Sequence, residues 1–290
     1  MTLINPQNGN LAFKVFHFEN NSTFDHLQRL NYYVLLLILD GEGSFKADFS
    51  EYKFTANSLL CFSPYQPFLI NAKGAIRGVA VNFHPDFFCI HRHQREVACN
   101  GILFNNVYQP PFHNVSAEEV NELLRLMDSM EKEIMQAELA QYELLVSYLK
   151  IFLITASRSR LNQLPMDQLP AVKTKEPFVL EQLKDAIEQH YRKKHSAGDY
   201  ASLLNLSPKT LGRITKTHFN KTLTHLIAER IIIEAKRELY LTSKPVKAIA
   251  WELGFDDEYY FSRFFKTHAD ISPQIYRDSV GFARGEVKTG

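Results

Sequence analysis

From Phe13 to Phe83 short apolar and aromatic runs are separated by breaks. VFHF, YYVLLLIL, GSFKADF, YKFTA, SLLCFS, PFLI and GVAVNF alternate with DGEG, Ser-Pro, Gln-Pro and Ala-Lys-Gly. β-branched and aromatic runs of this length, bounded by turn residues, predict strands. Their regular spacing predicts a small antiparallel barrel or sandwich. The pattern is irregular between His84 and His113. Ser116 then begins SAEE, a capping-box start, and neither Pro nor Gly interrupts the chain before Pro165. Val120, Leu123, Leu124, Met127 and Met130 fall at helical spacing, as do Leu144, Leu145, Tyr148, Leu149 and Phe152. Two antiparallel helices turning near Gln136 to Ala140 are expected. Leu161 to Pro177 holds three prolines and no apolar period, so it reads as a linker. Everything from Phe178 onward has a helical pattern.

These periods divide the chain into a β domain at 1–115, a helical segment at 116–160, a linker at 161–177 and an all-α domain at 178–280. Within the last, the chain repeats itself at an interval of about 50 residues. YASLLNLSPKTLGRITKTHFNKT, from Tyr200, lies over IAWELGFDDEYYFSRFFKTHADIS, from Ile249. Ala201 pairs with Ala250, Leu204 with Leu253, Asn205 with Gly254 and Leu206 with Phe255. Leu211 pairs with Phe261, Arg213 with Arg263, Lys216 with Lys266 and Asn220 with Asp270.

Each copy reads as one helix, a tight corner and a second helix. In the second copy Val246, Ile249, Ala250 and Leu253 make an inward face. Gly254 closes that helix, Phe255 plugs the corner, and Asp256 or Asp257 caps the next helix. Phe261, Phe264 and Phe265 are expected inside, leaving Glu258, Tyr259, Ser262, Arg263 and Lys266 outside. In the first copy Ser207 caps, Pro208 takes the first helical position, and Leu211 and Ile214 turn inward. Lys209, Thr210, Gly212, Arg213 and Lys216 form its outer face. A helix with such an edge fits a DNA major groove, where arginine grips guanine, while lysines and helix N-terminal amides hold phosphates. Gly212 lets the backbone approach closely. The intervening stretch, Thr222 to Leu241, is about 30 Å long as a helix, close to the ~34 Å between successive major-groove faces.

Charge sharpens this division. Residues 1–177 hold 15 Lys+Arg against 18 Asp+Glu, a net −3, while residues 178–290 hold 18 against 14, a net +4. The C-terminal part is therefore the one suited to a polyanion. The composition is that of a globular protein, with 45% hydrophobic and 22% charged residues. No apolar run is long enough to span a bilayer, and MTLINPQNGN lacks the basic-then-apolar order of a secretory signal. Cys61, Cys89 and Cys99 fit reduced thiols. A cytoplasmic location follows from these features.

AIAWELGFDDEYYFSRFFKTHADISPQIYR resembles the C-terminal signature of the AraC/XylS family of transcription regulators, and LLNLSPKTLGRITK is similar to that family's first helix-turn-helix. The resemblance covers about Phe178 to Arg277. It implies that the outer faces of the two second helices read bases: Ser207, Lys209, Thr210, Gly212, Arg213 and Lys216 in one, Glu258, Tyr259, Ser262, Arg263 and Lys266 in the other. Asn220 and Asp270 stand where the family has glycine, which suits residues that enter left-handed conformations, and Thr215 replaces an aromatic. The strand region resembles, through GEGSF and SPYQPF, the cupin-like sensing domain of such regulators. The whole is thus an α+β multidomain chain: a cupin-like antiparallel β-barrel, a helical dimerisation segment, and an all-α domain with two helix-turn-helix motifs.

The partners expected are double-stranded DNA, a second copy of the chain, RNA polymerase and a small-molecule effector. No membrane, cofactor or catalytic activity is expected. Two alternatives stand beside this reading. A cupin-type metalloprotein is one, although the strands in 30–83 hold no histidine; separately, Cys89, His91, His93 and Cys99, spaced C-x-H-x-H-x5-C, offer a set of soft-metal ligands. A protein-interaction adaptor is the other. Trp251, the only tryptophan, is expected in packing.

Overall fold

The computed structural model describes residues 1–5, 9, 11–48, 50–91, 93–97, 99, 101–136, 138–163 and 178–280. The chain divides into two compact units, Met1–Asn106 with Pro110–Pro165, and Val107–Gln109 with Met166–Gly290. The first holds strands β1 (Thr2–Ile4), β2 (Leu11–Phe18), β3 (Tyr33–Asp40), β4 (Gly43–Ala47), β5 (Ser50–Phe54), β6 (Ser58–Phe62), β7 (Phe68–Ala72), β8 (Arg77–Phe83) and β9 (Phe112–Asn114). It also holds helices α1 (Gln94–Val97), α2 (Ala117–Met135) and α3 (Gln141–Gln163).

All described strand pairs are antiparallel, and they build a larger sheet ordered β1-β2-β8-β3-β6-β9 and a smaller one ordered β5-β4-β7. The closed barrel anticipated from the strand spacing is corrected here: among the described residues no ladder joins the two sheets. The reason lies at the edges of the larger sheet, which are taken by β1 and β9, short strands from stretches without a strand signal. The two sheets instead face each other. Val34, Leu36, Ile38, Leu60 and Phe62 share a buried cluster with Phe45, Phe54, Phe68 and Ile70, and Phe62 stacks on Phe68 with ring centroids 4.0 Å apart.

The opposite face of the larger sheet is buried as well. Leu35, Leu37, Leu59, Cys61, Val79 and Val81 pack with Leu123, Met127 and Met130 of α2 and Leu145, Leu149, Phe152 and Ala156 of α3. Alternate residues of β3 therefore enter two different cores, which explains why YYVLLLIL is an unbroken apolar run rather than an alternating one. Ser116 caps α2 with a complete capping box through Glu119. Helix α2 ends at Met135 and α3 begins at Gln141, on either side of the turn that their periodicity implies. Val120, Leu123, Met127, Met130, Leu145, Leu149 and Phe152 of their apolar stripes are all buried inside the unit. Leu139, Tyr142, Leu144 and Ile151 remain exposed. The segment read as a linker begins inside α3, which runs to Gln163, and its remaining residues, 164–177, lie outside the described residues.

The second unit is helical: α4 (Phe178–His190), α5 (Ala197–Leu203), α6 (Pro208–Phe219), α7 (Leu223–Leu241), α8 (Val246–Glu252), α9 (Glu258–Ala269) and α10 (Pro273–Val280). The long α7 packs against α6, α8, α9 and α10. It buries Leu223, Leu226, Ile227, Ile231 and Ala235, the stripe its period marks out. It also buries Glu234, whose carboxylate is compensated by Arg192 at 2.8 Å, Arg237 at 2.9 Å and Arg230 at 3.3 Å. Among the described residues no helix is long and apolar enough to cross a membrane.

Candidate nucleic-acid interface

Helices α5 and α6 form one corner and α8 and α9 the other, and the pairing of positions read in the sequence recurs in the backbone. Asn205 and Gly254 both take positive φ, +53° and +79°. At Gly254 the requirement is steric too, because a Cβ there would lie 2.1 Å from the Arg192 carbonyl oxygen. Asn220 and Asp270 end α6 and α9 in the left-handed conformation, φ +55° and +63°. Ala201 pairs with Ala250 and Leu211 with Phe261, all buried.

The second helix of each corner is started by its side-chain cap. The Ser207 hydroxyl accepts the Thr210 N–H at 3.0 Å, with Pro208 at the first helical position. Of the two aspartates open in the sequence, Asp257 is the cap, accepting the N–H groups of Tyr259 and Tyr260 at 2.9 and 3.1 Å. Phe255 is the buried plug, its ring 5.2 Å from Phe261 and 5.1 Å from Phe264.

The outward residues stand as follows. On α6, Lys209, Arg213 and Lys216 are exposed, Ser207 is exposed at the cap, and Thr210 and Gly212 are half-buried. On α9, Tyr259, Arg263 and Lys266 are exposed, while Glu258 and Ser262 are half-buried. Lys209, Arg213 and Lys216 share positions i, i+4 and i+7, as do Tyr259, Arg263 and Lys266. Each trio therefore lies along one edge of its helix. Among the described residues no carboxylate pairs with any of these five cations. A Cβ on Gly212 would meet nothing within 4 Å.

Three expectations need correcting. Phe264 and Ile214 are half-buried rather than inside, because they lie at the flanks of their helices; the core place beside Leu211 goes to Thr215, whose hydroxyl donates to the Gly212 carbonyl. Trp251 is not packed away: it is 58% exposed on α8, with Lys247 4.8 Å above its ring. Tyr260, absent from the sequence-derived set, is 56% exposed and is the repeat counterpart of Thr210. Carrying the 50-residue offset through every outer position would have found it.

The cysteine–histidine run does not converge. Cys89 and Cys99 are buried, while His93 stacks on Phe88 and faces Glu96 at 3.0 Å. Among the described residues, the group whose potential ligand atoms lie within 4.8 Å of one another is His17, Asp128 and Glu131 at the surface. Burial pushes the thiols of Cys61 and Cys99 up to about 12, so neither is a ready thiolate.

Residues 200–279 match the model of a helix-turn-helix domain. The raffinose operon transcriptional regulatory protein RafR of Pediococcus pentosaceus is 32% identical over 95 residues, covering 33% of this chain and 34% of the relative. The regulatory protein SoxS of Escherichia coli is 29% identical over 99 residues, 34% of this chain and 92% of its own. The matched region thus spans only about a third of the length of RafR and of the RhaS activator of an Enterobacter species. Among solved structures, the C-terminal domain of the response regulator yesN of Fusobacterium nucleatum is 27% identical over 34% of this chain and 96% of its own, with a TM-score of 0.33. ToxT of Vibrio cholerae is 15% identical over 93% of this chain and 98% of its own, with a TM-score of 0.41. The C-terminal domain of this chain, with its two corners and their matching caps, is thus similar to the helix-turn-helix domains of these transcription regulators.

Proposed function

We propose that the chain is a sequence-specific DNA-binding transcription regulator that lays α6 and α9 in successive major grooves of one duplex. The observation that carries this reading is the pair of exposed, unpaired cationic edges: Arg213 and Lys216 on α6 recur as Arg263 and Lys266 on α9, each on a capped helix braced by α7. A structural role would tie such residues to carboxylates, as the arginines around Glu234 are tied. Arg213 and Arg263 read bases, Lys209, Lys216 and Lys266 meet phosphates, and the amides behind Ser207 and Asp257 hold the backbone. Glu258 accepts from cytosine, Thr210, Tyr259 and Ser262 contact the groove, and Gly212 allows close approach.

The names of the relatives support transcription control as the output, and RNA polymerase is the partner this output requires. The N-terminal unit is the sensing and assembly domain, cupin-like in its facing antiparallel sheets, with a small effector as its ligand. Pairing of two chains uses the exposed edge of the α2–α3 segment at Leu139, Leu144 and Ile151. The chain works in the cytoplasm and catalyses nothing.

Fragments selected from genomic DNA by the purified protein provide the test. On a selected fragment Arg213→Ala should cost about 1–3 kcal/mol and relax specificity, whereas Lys216→Ala should weaken cognate and scrambled DNA alike. Each lost phosphate contact should also flatten the dependence of log K on log salt by about 0.9. Equal losses on both kinds of DNA for both variants would reject the assignment.

A further inference from the structure

The N-terminal unit contains a charge that the chain leaves uncompensated. Arg160, near the end of α3, is 3% exposed. The guanidinium Nη2 donates to the Pro110 carbonyl at 2.5 Å, and Nη1 is buried with no hydrogen-bond partner among the described residues. No carboxylate of the described residues forms an ion pair with it. The wall facing it carries more unused donors. His113 on β9 is 7% exposed and neither ring nitrogen is paired, and the buried hydroxyl of Ser157 is likewise unpaired.

Strand register brings these groups together. His113 lies opposite Leu59, and the Pro111 carbonyl accepts the Cys61 N–H at 2.9 Å. Leu59 and Cys61 face α2 and α3, so His113, opposite Leu59, faces the same way, toward the turn of α3 that carries Ser157 and Arg160. Ser157 and Arg160 are three residues apart and so lie on one side of that helix. Glu119 of α2 lies beside His113, and its carboxylate accepts from the Ser116 N–H at 2.9 Å and from the Ser159 hydroxyl.

A guanidinium cannot escape this problem by losing its proton. Burying it alone costs several kcal/mol, and each orphaned donor adds to that. We propose that β9, β6 and the end of α3 enclose a binding site for a small monocarboxylate, anchored on the Arg160 guanidinium and completed by His113 and Ser157. A monoanion fits better than phosphate because, among the described residues, the one full positive charge at this wall is that of Arg160. Burial, reinforced by the neighbouring guanidinium, pushes His113 down to about 3, so at neutral pH it offers one N–H and no charge. The Cys61 thiol, held protonated by burial, is no counter-ion either. The site lies on the helix side of the larger sheet, away from the core between the two sheets.

The test is thermal unfolding of the full-length protein in formate or acetate, against sodium chloride and sodium sulfate at matched ionic strength. The midpoint of the N-terminal unit should rise with the logarithm of formate concentration above the dissociation constant and should not respond to chloride. Arg160→Met should abolish that rise while unfolding no earlier than wild type in chloride, since it removes a buried unpaired charge. Arg160→Lys, which keeps the charge but loses the fork, should need at least tenfold more formate. Should Arg160→Met fail to fold, saturable broadening of the 13C-formate resonance by wild type, reversed by unlabelled acetate and weakened in Ser157→Ala, supports the site. A wild-type midpoint indifferent to both carboxylates, or an equal response in Arg160→Met, overturns it. So does a Glu119→Gln variant as destabilised as one lacking the arginine, which would make Glu119 the counter-ion.

Discussion

Gly212→Ala separates folding from DNA binding, because its two effects have opposite signs. Gly212 lies inside α6, between the Ser207 cap and the Asn220 terminus, and its φ is not in the left-handed range. A Cβ there meets no atom within 4 Å, so alanine introduces no clash within the protein. Glycine in a helix interior is less favourable than alanine by about 0.8–1.0 kcal/mol. Alanine should therefore stabilise the helical unit by nearly that much, and in a domain of 60–100 residues about 1 kcal/mol moves the midpoint by roughly 4–8 °C. The chain thus carries a destabilising residue that its own packing does not require. Close approach to the duplex is the compensating reason, and a methyl group there should weaken cognate binding by about tenfold or more, roughly 1.4 kcal/mol. Calorimetry of the full-length protein and fluorescence anisotropy on a selected fragment read the two effects. A more stable variant with unchanged affinity would remove Gly212 from the interface. A less stable one would refute the helix itself.

Gly254→Ala should do the reverse, destabilising the helical unit by about 3 kcal/mol or more in urea unfolding, since φ is +79° and the new Cβ would strike the Arg192 carbonyl. Glu234→Gln should cost about 3–5 kcal/mol by the same measurement, because it leaves Arg192, Arg230 and Arg237 without the buried charge they surround. His113 gives the N-terminal unit an acid-sensitive stability. Its folded value near 3 against 6.5 in the free residue means that between those pH values the unfolded chain holds a proton the folded chain excludes, so stability is full above 6.5 and falls as pH drops toward 3. The slope approaches about 1.4 kcal/mol per pH unit; midpoints measured in chloride from pH 7 to 4 should show it, and His113→Gln should flatten it.

The helical repeat was legible because its signals are local. Ser207 before Pro208, Asp257 before a helical period, and Gly254 or Asn205 at the corner each fix a backbone feature within a few residues of itself. The two flanking aromatics and aliphatics were harder: Phe264 and Ile214 fall within a helical apolar stripe, and only the position of α7 decides which flank is covered. Trp251 departs from expectation for the same reason, since its size favours burial but its side of α8 is left uncovered among the described residues. In the β unit, strand positions were readable and closure was not. β1 and β9 are three residues each, too short to show a period, yet by occupying the edges they decide that the layers stay open. The Arg160 cluster left no trace in the sequence, where Ser-Arg-Ser-Arg at the end of a helix looks like a solvated terminus.

One strand makes the N-terminal unit mechanically indivisible. β3 is hydrogen-bonded along both margins, to β6 and to β8, and lines the helix-side core with one set of side chains and the inter-sheet core with the other. Its amides are then the last to exchange with deuterium, and a cavity opened on either side of it loosens the lining of both, so helices and sheets should melt as a single event.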